Sequence, residues 1–315
     1  RTDIGAMISG KTPAGRLPRP DILVCCTNIC QTVLHWYRVL ADYFGCPLVL
    51  IDTPFLYHEA QDHEVAYVKR QIEDMIHVAE EVAGKKLEDE RFQDVMTNAR
   101  RGAELWLEVL NRSQSRPAPM TAFDGFIHMG PIVDMRGEAV TVAYYERMLQ
   151  ELDERIKRGI GAIKDEQYRV LWDNLPIWFK IGELSKWLGD RGVNVVASTY
   201  TYAWGELAPM IDPDNPLDSM ARVYLHPILN RSTGHKLDSM KQMVDDFQLD
   251  GVIMHSDRSC KPYSLGQIDQ RDRLVKKLGV PALLLEADHN DPRDYSDEQG
   301  ITRLEAFVET MEARA

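Results

Sequence analysis

The chain has 315 residues, of which 44% are hydrophobic and 27% charged, and its net charge is −12. That length is sufficient for two domains of ordinary size, each with its own core. The acidic balance excludes a dominant basic surface, so nucleic acid is not expected as the main partner. The longest apolar runs are far shorter than the roughly 20 residues that span a bilayer, and no signal segment opens the chain, so we expect no membrane association and a cytoplasmic location.

The start of the chain predicts a β-α-β unit. Short apolar runs at 21–26 and 47–55 are typical of buried strands. Residues 31–44 between them carry apolar side chains at helical spacing, which predicts the connecting helix. Strands joined in this way normally pair in parallel.

Long helices are expected after this unit. Residues 61–83 and 88–113 alternate charged and apolar positions at helical period, so we predict two helices packed beside the sheet. A proline-containing segment at 115–120 breaks the pattern. We interpret 123–135 as mixed strand and loop, leading to a third helix at 137–159.

The second half of the chain alternates strands and helices. Strands are predicted at 168–174, 193–199, 250–256 and 281–288. Helices are predicted at 178–192, 217–230, 236–248, 267–279 and 297–314. This alternation favours an α/β fold with parallel sheets. We expect two lobes: residues 1–150 as an N-terminal α/β lobe with a helical insertion, and residues 151–315 as a C-terminal α/β lobe.

Cysteine usage indicates reactive or metal-binding thiols, because five cysteines in a chain of this length do not form a disulfide framework. Four of them, Cys25, Cys26, Cys30 and Cys46, fall within 22 residues. Cys25 and Cys46 lie on or beside apolar strands and are expected to be structural. For Cys26 the pattern leaves a structural and a functional role open.

Two cysteines occupy the positions where parallel sheets bind ligands, in loops after strands. Cys30 follows the first predicted strand, and Cys260 follows the strand at 250–256 with Arg258 and Lys261 beside it. Each precedes a helix, whose N-terminus favours the thiolate. Both could therefore face one cleft and hold a metal or an iron–sulfur cluster. Their spacing matches neither zinc-ribbon nor bacterial ferredoxin motifs, so buried structural thiols remain an alternative.

Other candidate residues also follow predicted strands. Tyr202 and Trp204 are candidate walls of an apolar pocket, although ordinary packing explains aromatic residues there equally well. The polar stretch 289–299 is interpreted as turn and helix-capping residues. No phosphate-binding loop, dinucleotide fingerprint or serine-hydrolase elbow is present in the sequence, which argues against those three chemistries.

Three stretches carry a family resemblance. "CCTNICQT" from Cys25, "DRSCKP" around Cys260 and "EADHNDPRDYSDEQ" from Glu286 resemble the benzoyl-CoA reductase and 2-hydroxyacyl-CoA dehydratase family, specifically its cluster-bearing, substrate-binding subunits. The resemblance extends over essentially the whole chain. It is nearest to the aromatic acyl-CoA reductase subunits.

The resemblance implies a [4Fe–4S] cluster in the cleft between two Rossmann-like lobes, held by three cysteines, with one iron open to water or substrate. By motif, Cys30 and Cys260 take two of the ligand roles. The third family cysteine normally precedes a stretch such as "RTDIG", which here begins at Arg1. The third ligand is therefore expected upstream of Arg1, with Cys26 the less favoured substitute.

The resemblance also implies an activity. We expect a subunit of an ATP-dependent aromatic acyl-CoA reductase of the benzoyl-CoA type, which dearomatises the ring by low-potential one-electron transfers. The alternatives are a 2-hydroxyacyl-CoA dehydratase subunit acting through a ketyl radical, a non-catalytic electron-transfer subunit, and a zinc-bound or metal-free α/β protein. The implied partners are a related cluster-bearing subunit, forming a heterodimer, and an ATP-hydrolysing iron–sulfur activator.

The last candidate residues are those that could contact the substrate or donate protons to it. The residues that could meet the CoA phosphates are Arg258, Lys261 and Arg231. The candidate proton donors are His35, His128 and His255. Exposed basic residues and satisfied structural histidines are the ordinary alternatives for both groups.

Overall fold

The computed structural model describes residues 17–314 and, ahead of them, residues 5, 7 and 9–11. The strands in this part are β1 (Leu23–Cys26), β2 (Leu48–Ile51), β3 (Tyr168–Asp173), β4 (Val193–Ser198), β5 (Gly251–Asp257) and β6 (Ala282–Ala287). The helices are α1 (Gln31–Phe44), α2 (Asp62–Ala83), α3 (Asp89–Asn111), α4 (Ala122–His128), α5 (Gly130–Asp134), α6 (Ala139–Lys157), α7 (Ile181–Gly189), α8 (Thr199–Tyr202), α9 (Pro216–Leu225), α10 (Thr233–Asp246), α11 (Lys261–Ser264), α12 (Gln267–Arg273) and α13 (Asp297–Glu312). The predicted α/β class is confirmed.

The predicted β-α-β unit forms a two-stranded parallel sheet. Leu23 of β1 lies opposite Leu48 of β2, and the pairing continues to the ends of both strands. Helix α1 makes the crossover and ends at Gly45, whose φ of 61° is a left-handed conformation that glycine adopts at no steric cost. The carboxyl end of β1 therefore leads directly into the loop that carries Cys30.

The other sheet has four parallel strands in the order β4-β3-β5-β6. From β3 the chain first adds β4 on one side and later returns to add β5 on the other. The strand order thus reverses between β3 and β5. In parallel sheets the crevice at the carboxyl ends of two such strands is the usual place for a ligand.

Helices cover both faces of this sheet, as a parallel sheet requires. Val170 and Trp172 of β3 pack with α7 and α13. Leu171, which alternates with them, packs with α10 on the opposite face. Strands β3, β4 and β5 are almost wholly buried, so packing on both faces positions the residues that follow them.

Two structural contacts tie the first half of the chain to the second. Ile51 at the end of β2 packs in one apolar cluster with α2 and α9. Leu56 pairs with Arg231 in an isolated parallel bridge, and the Leu56 N–H donates to the Asn230 carbonyl at 3.0 Å. The loop after β2 is therefore held against the segment before α10.

The interpretation of 123–135 as strand and loop was wrong, because these residues form α4 and α5. A capping box starts α4: the Thr121 hydroxyl accepts from the Asp124 N–H at 3.0 Å, and the Asp124 carboxylate accepts from the Thr121 N–H at 2.9 Å. Pro131 lies in the first turn of α5, where its missing N–H costs nothing. The apolar residues alone resemble a strand, and the Thr121–Asp124 capping box is the local signal that a helix begins here.

The helix predicted to reach residue 230 ends at Leu225, just before Pro227. The division of the lobes at residue 150 stays a prediction, and α6 runs across that position. None of the helices in the described part of the chain has the length and apolar character needed to cross a bilayer.

Arg169 at the start of β3 is a fully buried cation that joins several segments. Its guanidinium donates to the carbonyls of Phe247 at 2.8 Å and Ser115 at 3.1 Å. It also forms an ion pair with Glu166 at 2.5 Å. The Glu166 side chain is only 4% exposed and the Arg169 side chain is fully buried, so water cannot replace either charged partner.

Arg169→Met is expected to lower the free energy of unfolding by about 3–5 kcal/mol, because it leaves the Glu166 carboxylate buried without its cation. Urea unfolding measures the loss. Arg158→Met, at an exposed residue, is the matched control and should change stability by no more than about 0.5 kcal/mol. Equal stability of the two variants would contradict the structural role given to Arg169.

Candidate functional site

The two cysteines singled out in the sequence meet in one buried cluster. Cys30 directly precedes α1, and Cys260 directly precedes α11. Their side chains are 9% and 2% exposed, and they pack with Tyr263 and Ile228. The loops after β1 and β5 thus bring together, in an apolar setting, two thiols that are 230 positions apart in sequence.

The two thiols influence each other's ionisation. The pKa of Cys30 is lowered to about 6 despite its burial. The main cause is a hydrogen bond from the Cys260 thiol, and a hydrogen bond from the N–H of Val33 and the charge of nearby His289 add to it. The same hydrogen bond raises the pKa of Cys260, because the Cys260 thiol must keep its proton in order to donate it to the Cys30 thiolate. The pair therefore holds one negative charge readily and a second only with an added cation.

The other cysteines near β1 differ in their surroundings. Cys25 is buried. Its pKa is raised first by this burial and then by repulsion from the charge of Cys30. Cys26 points to the other face of the strand, where burial raises its pKa to about 12 and where it lies near Tyr224. The predicted third ligand upstream of Arg1 lies outside the described residues and stays a prediction.

A set of hydrogen bonds locks the loop between β5 and Cys260. Asp257, the last residue of β5, accepts from the Ser259 N–H at 3.0 Å and holds the His289 ring at 2.8 Å. Asp288, which follows β6, accepts from the Ser259 hydroxyl and from the N–H groups of Asn290 and Asp291. Ser259 is thereby fixed from two strand ends.

This group also offers a possible cation site. The ligand atoms of Asp257, Asp288 and His289 lie within 4.8 Å of one another. Each carboxylate already accepts several hydrogen bonds, so the arrangement is complete without an ion. Burial alone would lower the pKa of His289, but the hydrogen bond and charge of Asp257 outweigh it and raise that pKa.

A second network supports the Cys260 loop from beneath, at the crevice between β3 and β5. Asp173 at the end of β3 accepts from the Thr199 hydroxyl at 2.8 Å and from the Gln267 amide at 2.9 Å. The Tyr263 hydroxyl donates to Thr199 at 2.8 Å. Burial raises the pKa of Asp173, and the hydrogen bonds from Gln267 and Thr199 oppose that rise.

A cleft of about 780 Å³ opens beside the cysteine pair and is lined from both halves of the chain. Residues flanking the two cysteines, such as Thr32 and Ser259, form part of its wall. Its lining includes four cations, Arg231, Lys236, Arg258 and Lys261, and no carboxylate among the residues described there. In a chain with a net charge of −12, this is a local concentration of positive charge suited to an anionic ligand.

The three predicted cationic contacts all lie on this cleft. Arg258 is half exposed and pairs with Asp294 at 2.9 Å. Arg231 is 7% exposed and pairs with Glu59 at 2.7 Å. Lys261 is exposed at the start of α11, next to Cys260.

The predicted histidines do not gather at the cleft. His35 is exposed on α1. His128 contacts the Tyr144 hydroxyl at 2.7 Å and lines a different groove. His255 is fully buried on β5, where its Nδ1 lies 2.6 Å from the Leu175 carbonyl and burial lowers its pKa.

The aromatic stretch after β4 contributes a ring to the site, and that ring is Tyr200. It packs against the cysteine cluster, and burial together with the charges of Cys260 and Cys30 raises its pKa to about 12. Trp204 packs edge-on against Tyr200, with ring centroids 6.5 Å apart, within the cluster formed by α3 and α6. Tyr202 also packs in that cluster and is not among the cleft-lining residues described.

The sequence analysis missed several residues of the site: Tyr200, His289, Asp257, Asp173 and Lys236. Three of them, Asp173, Asp257 and His289, stand at or just after strand ends, and that position was the available signal. Lys236 lies on a helix, and nothing in its sequence context marks it. Its placement depends on how α10 packs against the loop that carries Cys260.

The fold and the site together define a parallel α/β protein with a buried thiol pair beside a cation-lined cleft. Residues 1–311 match the model of the family described as 2-hydroxyglutaryl-CoA dehydratase, D-component. The chain belongs to this family, as the sequence resemblance predicted. The match covers nearly all of its 315 residues.

Individual relatives include both activities expected from the sequence. The chain is 32% identical to the alpha subunit of (R)-2-hydroxyglutaryl-CoA dehydratase of Acidaminococcus fermentans, over 94% of this chain and 61% of that protein. It is 32% identical to the (R)-2-hydroxyisocaproyl-CoA dehydratase alpha subunit of Clostridioides difficile, over 100% of this chain and 77% of that protein. It is 30% identical to a benzoyl-CoA reductase subunit of Thauera aromatica, over 100% of this chain and 76% of that protein. The chain therefore spans about three fifths to three quarters of the length of these relatives.

The network beneath the Cys260 loop makes a testable prediction. Gln267→Leu removes one donor from the buried Asp173 and should lower the free energy of unfolding by about 1–3 kcal/mol. Hydrogen exchange of residues 258–266 should also accelerate, since that loop loses a support. Gln299→Leu, at an exposed residue, is the control. Unchanged exchange in the Gln267 variant would contradict the supporting role.

Proposed function

We propose that this chain is the cluster-bearing, substrate-binding subunit of an enzyme that acts on CoA thioesters. The observation that carries the proposal is the buried Cys30–Cys260 pair beside a cleft rich in positive charge. The thiols can ligate iron, and the cations can meet the phosphates of CoA. A related subunit and an ATP-hydrolysing activator complete the proposed enzyme.

The residues present fit a [4Fe–4S] cluster. Cys30 and Cys260 each precede a helical segment, the N–H groups of Val33 and Tyr263 are directed at their sulfur atoms, and the surrounding side chains exclude water. Cys30 and Cys260 would supply two ligands, and the third is proposed to come from upstream of Arg1. When bound, such a cluster supplies single electrons at low potential. Tyr200 and Tyr263 keep the site dry, which strengthens each electrostatic contact within it.

Dehydration of a 2-hydroxyacyl-CoA is the reaction that the cleft supports best. Hydroxyl and amide side chains, among them Asn28, Thr32 and Ser259, line the wall beside the cysteines. Phe55 is the one aromatic ring among the lining residues that the structure describes. A hydroxyacyl group requires such hydrogen-bonding partners, whereas an aromatic acyl group requires an apolar slot.

Aromatic ring reduction, the activity expected first from the sequence, is the second candidate. Tyr200 packs against the thiol pair and offers a ring face next to the reacting centre. The similarity to a benzoyl-CoA reductase subunit also supports it. The two candidates differ in product, so turnover separates them.

Iron binding tests the ligand assignment. Protein purified and reconstituted without oxygen is expected to hold about four irons and four sulfides per chain. Cys30→Ser and Cys260→Ser should each lose most of this iron. Cys46→Ser is the matched control, because Cys46 follows the far end of the 14-residue helix α1, roughly 20 Å away along its axis. Full iron content in either ligand variant would refute the assignment.

Turnover tests the reaction. The chain is assayed anaerobically as the complete complex, with its partner subunit, its activator, ATP and a reductant. We expect enoyl-CoA from an (R)-2-hydroxyacyl-CoA and no dienoyl-CoA from benzoyl-CoA, with Cys260→Ser inactive. Dienoyl-CoA alone would establish the second candidate, and neither product would refute both.

A further inference from the structure

We propose that Lys236 is a positioning residue for the Cys30–Cys260 pair, which it serves by holding the Cys260 loop and by offsetting negative charge on the thiolates. This inference rests on the proposed function and deepens it. Lys236 lies on α10, outside the sequence motifs, and neither the cysteine ligands nor the predicted substrate contacts include it.

The contacts of Lys236 place its ammonium at the Cys260 loop. Nζ donates to the carbonyl of Pro262, two residues after Cys260. It also lies 5.7 Å from the centre of the Tyr263 ring, within the range of a cation–π interaction. Tyr263 is itself anchored to Thr199. The ammonium therefore fixes the first turn of α11 from the side of the cleft.

The burial of Lys236 requires a compensating negative charge. The residue is 6% exposed, and none of the described carboxylates forms an ion pair with it. An unpaired buried ammonium is strongly unfavourable. Burial lowers the pKa of Lys236, and the charges that oppose this come from Asp173 and then Cys260. Asp173 therefore balances part of the buried charge, and the hydrogen bond to the Pro262 carbonyl places the ammonium beside the loop of Cys260, where it faces any negative charge held at the cysteine pair.

The other cations of the cleft are placed differently. Arg231 and Arg258 already pair with Glu59 and Asp294. Lys261 is exposed and free to meet a ligand in solvent. Lys236 is the cleft cation that is buried and hydrogen-bonded to the loop that follows Cys260. A positive charge fixed there favours the addition of an electron to a cluster held by the two cysteines.

The experiment compares Lys236→Gln, which keeps a hydrogen-bond donor but lacks the charge, with Lys236→Arg, which keeps the charge. Lys241→Gln, an exposed position on the same helix, is the control. The complete complex is reconstituted without oxygen, and its iron content and midpoint potential are measured by redox titration followed by electron paramagnetic resonance. We expect Lys236→Gln to retain iron with a more negative midpoint potential, and Lys236→Arg and Lys241→Gln to match the wild type.

A wild-type potential in Lys236→Gln would overturn the inference, as would a shifted potential in Lys236→Arg. If Lys236→Gln takes up no iron, the arginine variant decides alone: wild-type iron and potential support the charge role, and loss of either overturns it. A raised KM for the acyl-CoA with an unchanged potential would assign Lys236 to the substrate and overturn the inference. Absence of iron from the wild-type complex would instead refute the proposed function, and the two failures are distinguishable.

Discussion

The position of the Cys260 loop is the constraint on which the rest of the site depends. Two carboxylates at the ends of adjacent strands, Asp173 and Asp257, hold this loop from below and from the side. Because β3 and β5 lie next to each other at the reversal of strand order, their ends are fixed by the sheet itself. The place where Cys260 meets Cys30 is therefore determined by the paired ends of these two strands.

The meeting of the thiols also depends on how the two sheets are tied together. Cys30 lies in the loop that follows β1 of the two-stranded sheet. The bridge between Leu56 and Arg231 and the shared cluster around Ile51 hold that sheet against the second half of the chain. The residues that line the cleft come from beside these ties and from beside the cysteines, so the same contacts position both.

The sequence was sufficient to predict the helices and strands whose apolar residues recur at regular spacing. It also predicted that Cys30 and Cys260, which follow strands, belong to the site. The β-α-β order was predicted correctly and helix α1 to the residue, whereas both strands are shorter than the predicted 21–26 and 47–55, because apolar spacing marks a helix more sharply than it marks the ends of a strand. Helices α4 and α5 were missed because short elements depend on a single capping signal, here Thr121 and Asp124. Lys236 could not be predicted, since its burial follows from tertiary packing and not from any local pattern.

Under the proposed function, the distribution of charge lets one cleft serve both a substrate and a redox centre. Lys261 and Arg258 lie at the exposed side, where solvent screens them, and Arg258 would exchange its ion pair with Asp294 for one with a phosphate. Arg231 and Lys236 are buried, so their charges act strongly on their immediate neighbours and are not available to a mobile ligand without loss of existing contacts. Under the proposed function, the outer cations would therefore act in capture of the thioester, and the inner ones would set the electrostatic environment of the cysteine pair. On that proposal, a substitution at the rim changes binding, and a substitution inside changes the chemistry.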